Sequence, residues 1–231
     1  MDDARIVELL APFLSGSVAN QHHEGIAGIR NSATLSPVQI RHISMYIDLL
    51  LRWNARINLT AVREPERIVT RHFGESIFVA RHLFPQAEVG AETRPHVIDV
   101  GSGAGFPGLP IKIWAPHIHL TLIESSQKKA TFLREVVRGL GLSNVDVFAG
   151  RAEAFPGPKG DVVTFRAIEC FDLILHVAAG LLADSGCLAI MVGGSQLNGV
   201  RALLPGLQWE EPVSLPLSAN RAMIIGRKES G

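Results

Sequence analysis

Residues Val97 to Pro110 read Val-Ile-Asp-Val-Gly-Ser-Gly-Ala-Gly-Phe-Pro-Gly-Leu-Pro, an apolar run that passes straight into a series of glycines. Val97 to Val100 can form a buried strand. Gly101, Gly103 and Gly105 follow, and glycine there permits a tight turn and lets a ligand approach the main chain with no Cβ in the way. Asp99 stands inside the apolar run, where an unpaired charge is costly, so its carboxylate is expected to have a polar task at the strand end. The stretch reads as the loop of a nucleotide-containing cofactor.

Nicotinamide dinucleotides favour Gly-x-Gly-x-x-Gly, whose third glycine allows close helix–strand packing near a pyrophosphate. Here that third position is Phe106, followed by Pro107, which argues against a dinucleotide oxidoreductase. The pattern is Gly-x-Gly-x-Gly instead, similar to the first motif of class I S-adenosylmethionine methyltransferases. That cofactor carries no phosphate, so it needs no helix N-terminus left open for an anion. A second apolar run, His119-Leu-Thr-Leu-Ile123, ends at Glu124. It lies about twenty residues past the glycines, where a Rossmann-like fold bonds ribose hydroxyls.

From Val97 onward apolar strand patterns and helical patterns alternate, the signature of a mainly parallel sheet. Strands are expected near 96–100, 119–123, 145–149, 161–166, 187–192, 211–215 and 221–227, with helices over 107–114, 126–140, 170–183 and 196–204. The last two strands are too close for a helical crossover and should form an antiparallel hairpin. Upstream, Ser36-Pro37-Val38-Gln39 is a capping box with proline at the first helical position. The helix that follows places Ile40, Ile43, Ile47, Leu50 and Leu51 on one face and ends near Trp53-Asn54. A second helix from about Pro65 turns Ile68, Val69, Phe73, Ile77 and Ala80 inward, and Ile57-Asn58-Leu59-Thr60 is the polar connection between the two. The expected organisation is a helix and connector over 1–35, a helical segment packed on the core over 36–90, and a Rossmann-like core over 91–231. His22 and His23 fall in the connector, without neighbours at metal-ligand spacing.

Lysines and arginines number 22 and so do aspartates and glutamates, so net charge does not favour a nucleic-acid partner. Local charge does: between Arg41 and Arg81 stand seven arginines against four acids, and Lys128, Lys129, Arg134 and Arg138 recur at helical spacing. Composition alone makes these groups solvated helix faces. No apolar run has the length of a membrane span and the start lacks the order of a signal peptide. Cys170 and Cys187 form neither a metal spacing nor a disulfide framework. The expectation is a cytoplasmic protein with no resident metal.

Several further stretches carry a specific likeness: Leu-Leu-Arg-Trp-Asn-Ala-Arg-Ile-Asn-Leu-Thr at 50–60, Arg-His-Phe-Gly-Glu-Ser at 71–76, Phe-Leu-Arg-Glu at 132–135, Gly-Arg-Ala-Glu at 150–153 and Phe-Arg-Ala at 165–167. With the 97–110 loop, they make the chain resemble the bacterial small-subunit ribosomal RNA guanine-N7 methyltransferases, the RsmG or glucose-inhibited division protein B family, from about Ser36 to Lys228. The resemblance implies a class I methyltransferase fold with an N-terminal helical extension and a seven-stranded, mostly parallel sheet ending in an antiparallel hairpin. It also implies S-adenosylmethionine as cofactor, and 16S ribosomal RNA or the small ribosomal subunit as substrate of a monomeric enzyme.

Carried over residue by residue, the resemblance implies cofactor contacts from Gly101, Phe106, Glu124, Ala152, Glu153 and Arg166, with Asp99 and Gly103 belonging to the same loop. Gly101 would open the turn beneath the methionine portion and Phe106 would wall that cavity. Glu124 would accept the ribose hydroxyls, Ala152-Glu153 would read the adenine edge, and Arg166 would close the cofactor end of a strand. Arg151 and Arg166 are the positioning candidates. Asn58, Arg71 and His72, together with Arg151, would form the RNA-facing wall, although Trp53, Asn58 and His72 are equally suited to pinning the helices to the sheet. Glu124 replaces the aspartate common in the family, and Met191-Val192-Gly193-Gly194 lacks the usual lysine.

Guanine N7 offers an in-plane lone pair and no proton, so transfer to it needs no general base, only positioning and exclusion of water. The sequence agrees: Thr164-Phe165-Arg166-Ala167 stands where amine methyltransferases carry Asn-Pro-Pro-Tyr, and both cysteines read as packing residues. Two other readings share the fold, a small-molecule methyltransferase and a non-catalytic cofactor-binding regulator.

Overall fold

The computed structural model describes residues 1–15, 33–85, 94–166 and 170–228. The expected connector with His22 and His23, and the expected boundary at 90/91, lie outside them. Among the described residues one sheet holds β1 (His96–Val100), β2 (His119–Glu124), β3 (Val145–Ala149), β4 (Gly160–Arg166), β5 (Leu182–Gly193), β6 (Leu207–Trp209), β7 (Val213–Ser214) and β8 (Arg221–Lys228). Their order is β3-β2-β1-β4-β5-β8-β6, and β7 also pairs with β8. β1 to β5 run parallel and β8 runs antiparallel to β5. The order reverses between β1 and β4, the position at which open α/β sheets receive ligands beyond the carboxyl ends of their strands.

The helices are α1 (Asp3–Leu14), α2 (Pro37–Asn54), α3 (Pro65–Ile68), α4 (Glu75–Leu83), α5 (Gly108–Trp114), α6 (Gln127–Gly139), α7 (Phe171–Gly180) and α8 (Gly194–Leu203). Side chains alternate across a strand, so Val97 and Ile98 enter different cores. Val97, Leu122, Val162 and Ala189 share one apolar cluster with α1, α2, α4, α5 and α6. Ile98, Val163, Leu188 and Ile224 share the other with α7 and α8. Burial on both faces is why these strands read as continuous apolar runs. No described helix is long and apolar enough to cross a membrane.

Three elements differ from the sequence expectation. The strand expected over 211–215 is two short ones, making eight strands rather than seven: β6 pairs with Lys228 to Gly226 and β7 with Met223 and Ala222 of the same strand. Three residues, Glu210 to Pro212, stand there against two of β8. That bulge sits at proline, which has no N–H for a ladder. The helix expected from Pro65 is interrupted by a π turn, Val69–Gly74. At its end Gly74 lies so close to the Phe13 ring that a Cβ would stand 2.5 Å from it. The helix expected to 183 stops at Gly180, because the Gly160 N–H donates to the Leu181 carbonyl at 2.9 Å and draws the chain into β5.

The glycine loop rests on α2. Tyr46 is fully buried, donates its hydroxyl to the Ala104 carbonyl, and stacks on Phe106 at 5.4 Å with 4° between the rings. Gly105 has φ +88°, and a Cβ there would meet the Tyr46 hydroxyl and stand 2.6 Å from Leu109. Gly141, past the end of α6, has φ +62° with nothing within 4 Å of a Cβ. Gly105→Ala should therefore cost about 2–4 kcal/mol, from left-handed strain plus overpacking. Gly141→Ala should cost only the strain, about 1–2 kcal/mol. Urea unfolding of both variants measures the difference, and equal losses would contradict the loop packing.

Candidate active site

The glycine loop has few side chains of its own, and its shape is held from outside. Gly101 and Gly103 take φ +64° and +57°. Glu124, at the end of β2, accepts from the Gly103 N–H at 2.8 Å with one oxygen and from the Ser126 N–H at 2.7 Å with the other. It thus ties the loop to the start of α6. A carboxylate has about four lone-pair sites, so it keeps acceptor capacity for a further donor. Asp99 Oδ2 accepts from the Gly108 N–H at 3.1 Å, and a Cβ on Gly108 would stand 2.7 Å from that oxygen. A Cβ on Gly103 would find no side-chain atom within 4 Å, so the loop is open on that side.

Beneath the loop lies an unmet polar demand. Asp99 is fully buried and its Oδ1 has no partner; Thr164, paired in register with Asp99 across β1 and β4, is also fully buried with Oγ1 unpartnered. Burial pushes the Asp99 carboxyl up to about 7, against a smaller lowering by the Gly108 N–H. A buried acceptor without a donor costs about 1–3 kcal/mol. An incoming amino or ammonium group would satisfy it and draw the carboxyl into its ionised form. The residues therefore fit a cofactor that brings a cationic amine and ribose hydroxyls to this loop.

Arg166, at the end of β4, is turned into the helical layer. Its guanidinium donates to the Arg71 carbonyl at 2.8 Å and to His72 Nδ1 at 2.5 Å, lies 3.6 Å from the Glu75 carboxylate and sits over the Phe106 ring at 5.6 Å. Burial, with Arg71 and Arg221 nearby, lowers it to about 10 despite Glu75. Glu75 is buried and also binds Arg221 at 2.5 Å. His72 is held neutral, its pKa lowered to about 3 by burial and then by Arg166 and Arg71. Arginine can only donate, so His72 Nδ1 is the acceptor. The proton is on Nε2, which donates to Thr60 Oγ1 at 2.9 Å.

The expected site residues gather at one edge of the sheet but do not all face outward. Asp99, Gly101, Gly103, Glu124 and Arg166 stand at the carboxyl ends of β1, β2 and β4 or in the loop between them. Ala152 is buried in the short turn after β3, while Arg151 and Glu153 beside it are exposed. Asn58 and Arg71 are exposed as well. His72 corrects the RNA-wall expectation: it is buried, both ring nitrogens are bonded within the protein, and its ring stacks on Phe106 at 4.7 Å. Phe106 corrects another, because its ring is packed among Tyr46, His72 and Phe73 and anchors the helices instead of walling an open cavity. The connection after α2 is pinned by Asn54, which accepts from Leu59 and Thr60 N–H at 2.9 and 3.0 Å. Cys187 is buried with its thiol pushed up to about 11, as suits a packing residue, whereas Cys170 corrects that expectation: it is exposed, in a left-handed turn just before α7. Among the described residues no three His, Cys, Asp or Glu side chains group as metal ligands.

Sequence reasoning passed over Tyr46, Glu75, Thr164 and Arg221. Glu75 had a local signal, an acid in phase with the buried face of Ile68, Phe73 and Ile77. Tyr46 and Thr164 read as ordinary core, and Arg221 as the start of the last strand.

His72 and Asp99 give opposed pH dependences. His72 has its folded pKa lowered, so its stabilisation is full above 6.5 and is lost as the pH falls toward about 3. Asp99 has its folded pKa raised, so its stabilisation is full below 3.8 and is lost as the pH rises through about 7. Each slope is at most about 1.4 kcal/mol per pH unit. Over the shared window His72→Gln should make stability fall with rising pH relative to the native chain, and Asp99→Asn should make it rise. Urea unfolding at several pH values tests this; parallel profiles for the two variants would contradict both assignments.

Residues 39–215 match the family GidB, rRNA small subunit methyltransferase G. The chain is 38% identical over 198 residues to the ribosomal RNA small subunit methyltransferase G of Xylella fastidiosa (strain 9a5c), covering 84% of this chain and 89% of that one. It is 37% identical over 215 residues to the protein of that name from Stenotrophomonas maltophilia (strain K279a), covering 92% and 95%. A solved SAM-dependent methyltransferase from Aquifex aeolicus superposes with a TM-score of 0.58 at 17% identity, over 74% of this chain and 96% of that one, a likeness of fold. The glycine loop, its carboxylate clamp and the helical layer that holds them thus belong to a chain of the GidB family, the rRNA small subunit methyltransferase G family.

Proposed function

We propose that the protein uses S-adenosylmethionine to methylate N7 of a guanine in the 16S RNA of the small ribosomal subunit. The observation that carries the cofactor part is the pair of unpartnered buried oxygens, Asp99 Oδ1 and Thr164 Oγ1, under an open glycine loop. The RNA part rests on the family and on the names of the relatives above. Asp99 would hold the cofactor's amino group, Glu124 its ribose, and the Ala152–Glu153 turn its adenine edge. When bound, the cofactor supplies an electrophilic methyl on a sulfonium.

The chain's own task is placement. Guanine N7 attacks through a lone pair that carries no proton, so none of these side chains has to act as a base. Arg166 is held by His72, Glu75 and the Arg71 carbonyl, and a side chain fixed in that way positions without reorganising. Arg151, exposed beside the adenine-side turn, would hold RNA phosphate. The sheet behind and the helical layer above exclude water from one side of the loop.

Purified protein, labelled cofactor and small-subunit ribosomal RNA from cells lacking the gene provide the test. Nuclease digestion and mass spectrometry should find 7-methylguanosine; a methyl on another atom, or none, overturns the reading. Asp99→Asn should weaken cofactor affinity about ten- to a hundredfold, the scale of one charge-assisted hydrogen bond. Because Asp99 titrates near 7 without ligand and must ionise to hold an ammonium, native binding should weaken as the pH falls below that value and should release a proton. Calorimetry in buffers of different ionisation enthalpy checks both effects, and Asp99→Asn should abolish the proton release.

A further inference from the structure

We infer that the cleft between the π turn and the β7–β8 turn seats a phosphodiester of the substrate RNA next to the methylated base. This deepens the function proposed above and rests on it. The cleft measures about 270 Å³; Arg67, Thr70 and Arg71 form one side and Pro216, Leu217 and Arg221 the other, with Glu75 at its base and Phe13 at its back.

Charge makes it an anion site. Glu75 faces Arg166 at 3.6 Å and Arg221 at 2.5 Å, so the single acid at the base is already shared by two guanidiniums. Among the described residues the Arg67 guanidinium pairs with Glu64 alone, at 4.0 Å between two exposed side chains, a pair worth little in water. Among the described residues no carboxylate pairs with Arg71. Three arginines therefore line the cleft around one glutamate, whose other side is taken by the buried Arg166. Arg71 is among the charges that lower both Arg166 and His72, so the excess positive field reaches the site itself.

Position and size select the occupant. Arg221 is paired with Gly193 at the carboxyl end of β5, and Arg166 ends β4 with its guanidinium on the Arg71 carbonyl. The cleft therefore opens on the same sheet edge as the glycine loop. Its volume falls below the ~300 Å³ at which small-molecule pockets begin, which suits one charged group of a longer polymer better than an enclosed ligand. Guanidinium forks match phosphate geometry, and contacts to phosphate fix a polynucleotide's register while other groups hold the base. Leu217 stands 70% exposed at the lip, an apolar surface that a neighbouring base can cover.

The test is the double variant Arg67→Gln, Arg71→Gln, which removes two exposed side chains and leaves the Arg71 carbonyl bonded to Arg166. Binding of labelled small-subunit ribosomal RNA is measured by fluorescence anisotropy across a salt series. The double variant should bind about tenfold more weakly at physiological salt. Its slope of log affinity against log salt should be shallower by about 0.7–0.9, the release expected for one phosphate. Its cofactor affinity by calorimetry should be unchanged. Arg138→Gln, at the end of α6 on the opposite sheet edge, should keep the native slope. An unchanged slope in the double variant removes the cleft while leaving the methyltransferase reading intact. Retained affinity for the naked RNA with lost affinity for the assembled subunit also overturns it, in favour of an acidic protein surface. A native chain that neither binds nor methylates the RNA removes the function and this occupant together.

Discussion

A loop built from glycines cannot hold its own shape, because the freedom that lets backbone approach a ligand also lets it collapse. In this protein the constraint is met by three side chains from three other elements. Tyr46 of α2 reaches the Ala104 carbonyl, Glu124 of β2 takes the Gly103 N–H, and Asp99 of β1 takes the Gly108 N–H. The N-terminal helices are therefore part of what shapes the glycine loop and not an appendage beside it. They also share a single apolar cluster with α5, α6 and one face of the sheet, so loop geometry and core packing are coupled.

The second organising feature is a buried charge cluster that joins the helical layer to the carboxyl ends of the central strands. Glu75 of α4 meets Arg166 of β4 and Arg221 of β8, elements far apart in the chain. Breaking one member of such a buried pair leaves the other uncompensated, at a cost of about 3–5 kcal/mol, which ties the three elements together. Arg166 also fixes the tautomer of His72, since it can only donate. Arg166, expected at the cofactor end of a strand, thus becomes an internal strut, while Arg71 beside it is exposed and, among the described residues, pairs with no carboxylate.

Much of the architecture was legible because its signals are local. Strand β1 coincides with its expected 96–100, β3 with 145–149, and the capping box at Ser36 and Gln39 forms as read, with the Ser36 N–H donating to the glutamine side chain at 2.8 Å. Glycine punctuation, twofold alternation and caps act over a few residues, so they survive in one dimension. The splitting of the sixth strand at Pro212 and the early end of α7 were not legible, because both depend on what a distant strand offers as a partner.

The sequence by itself determined the doubly wound sheet, the glycine loop with its acid at Asp99, and the family, since each is written in short contiguous patterns. Only the tertiary structure decided which way the polar side chains turn. His72 and Phe106 face inward because α2, the π turn and β4 converge on them, and Tyr46, Glu75 and Arg221 join the site through contacts 58 and 146 residues apart in the chain. The burial that keeps His72 neutral and raises Asp99 is likewise a property of the assembled layers, because desolvation belongs to the surroundings of a group and not to its identity.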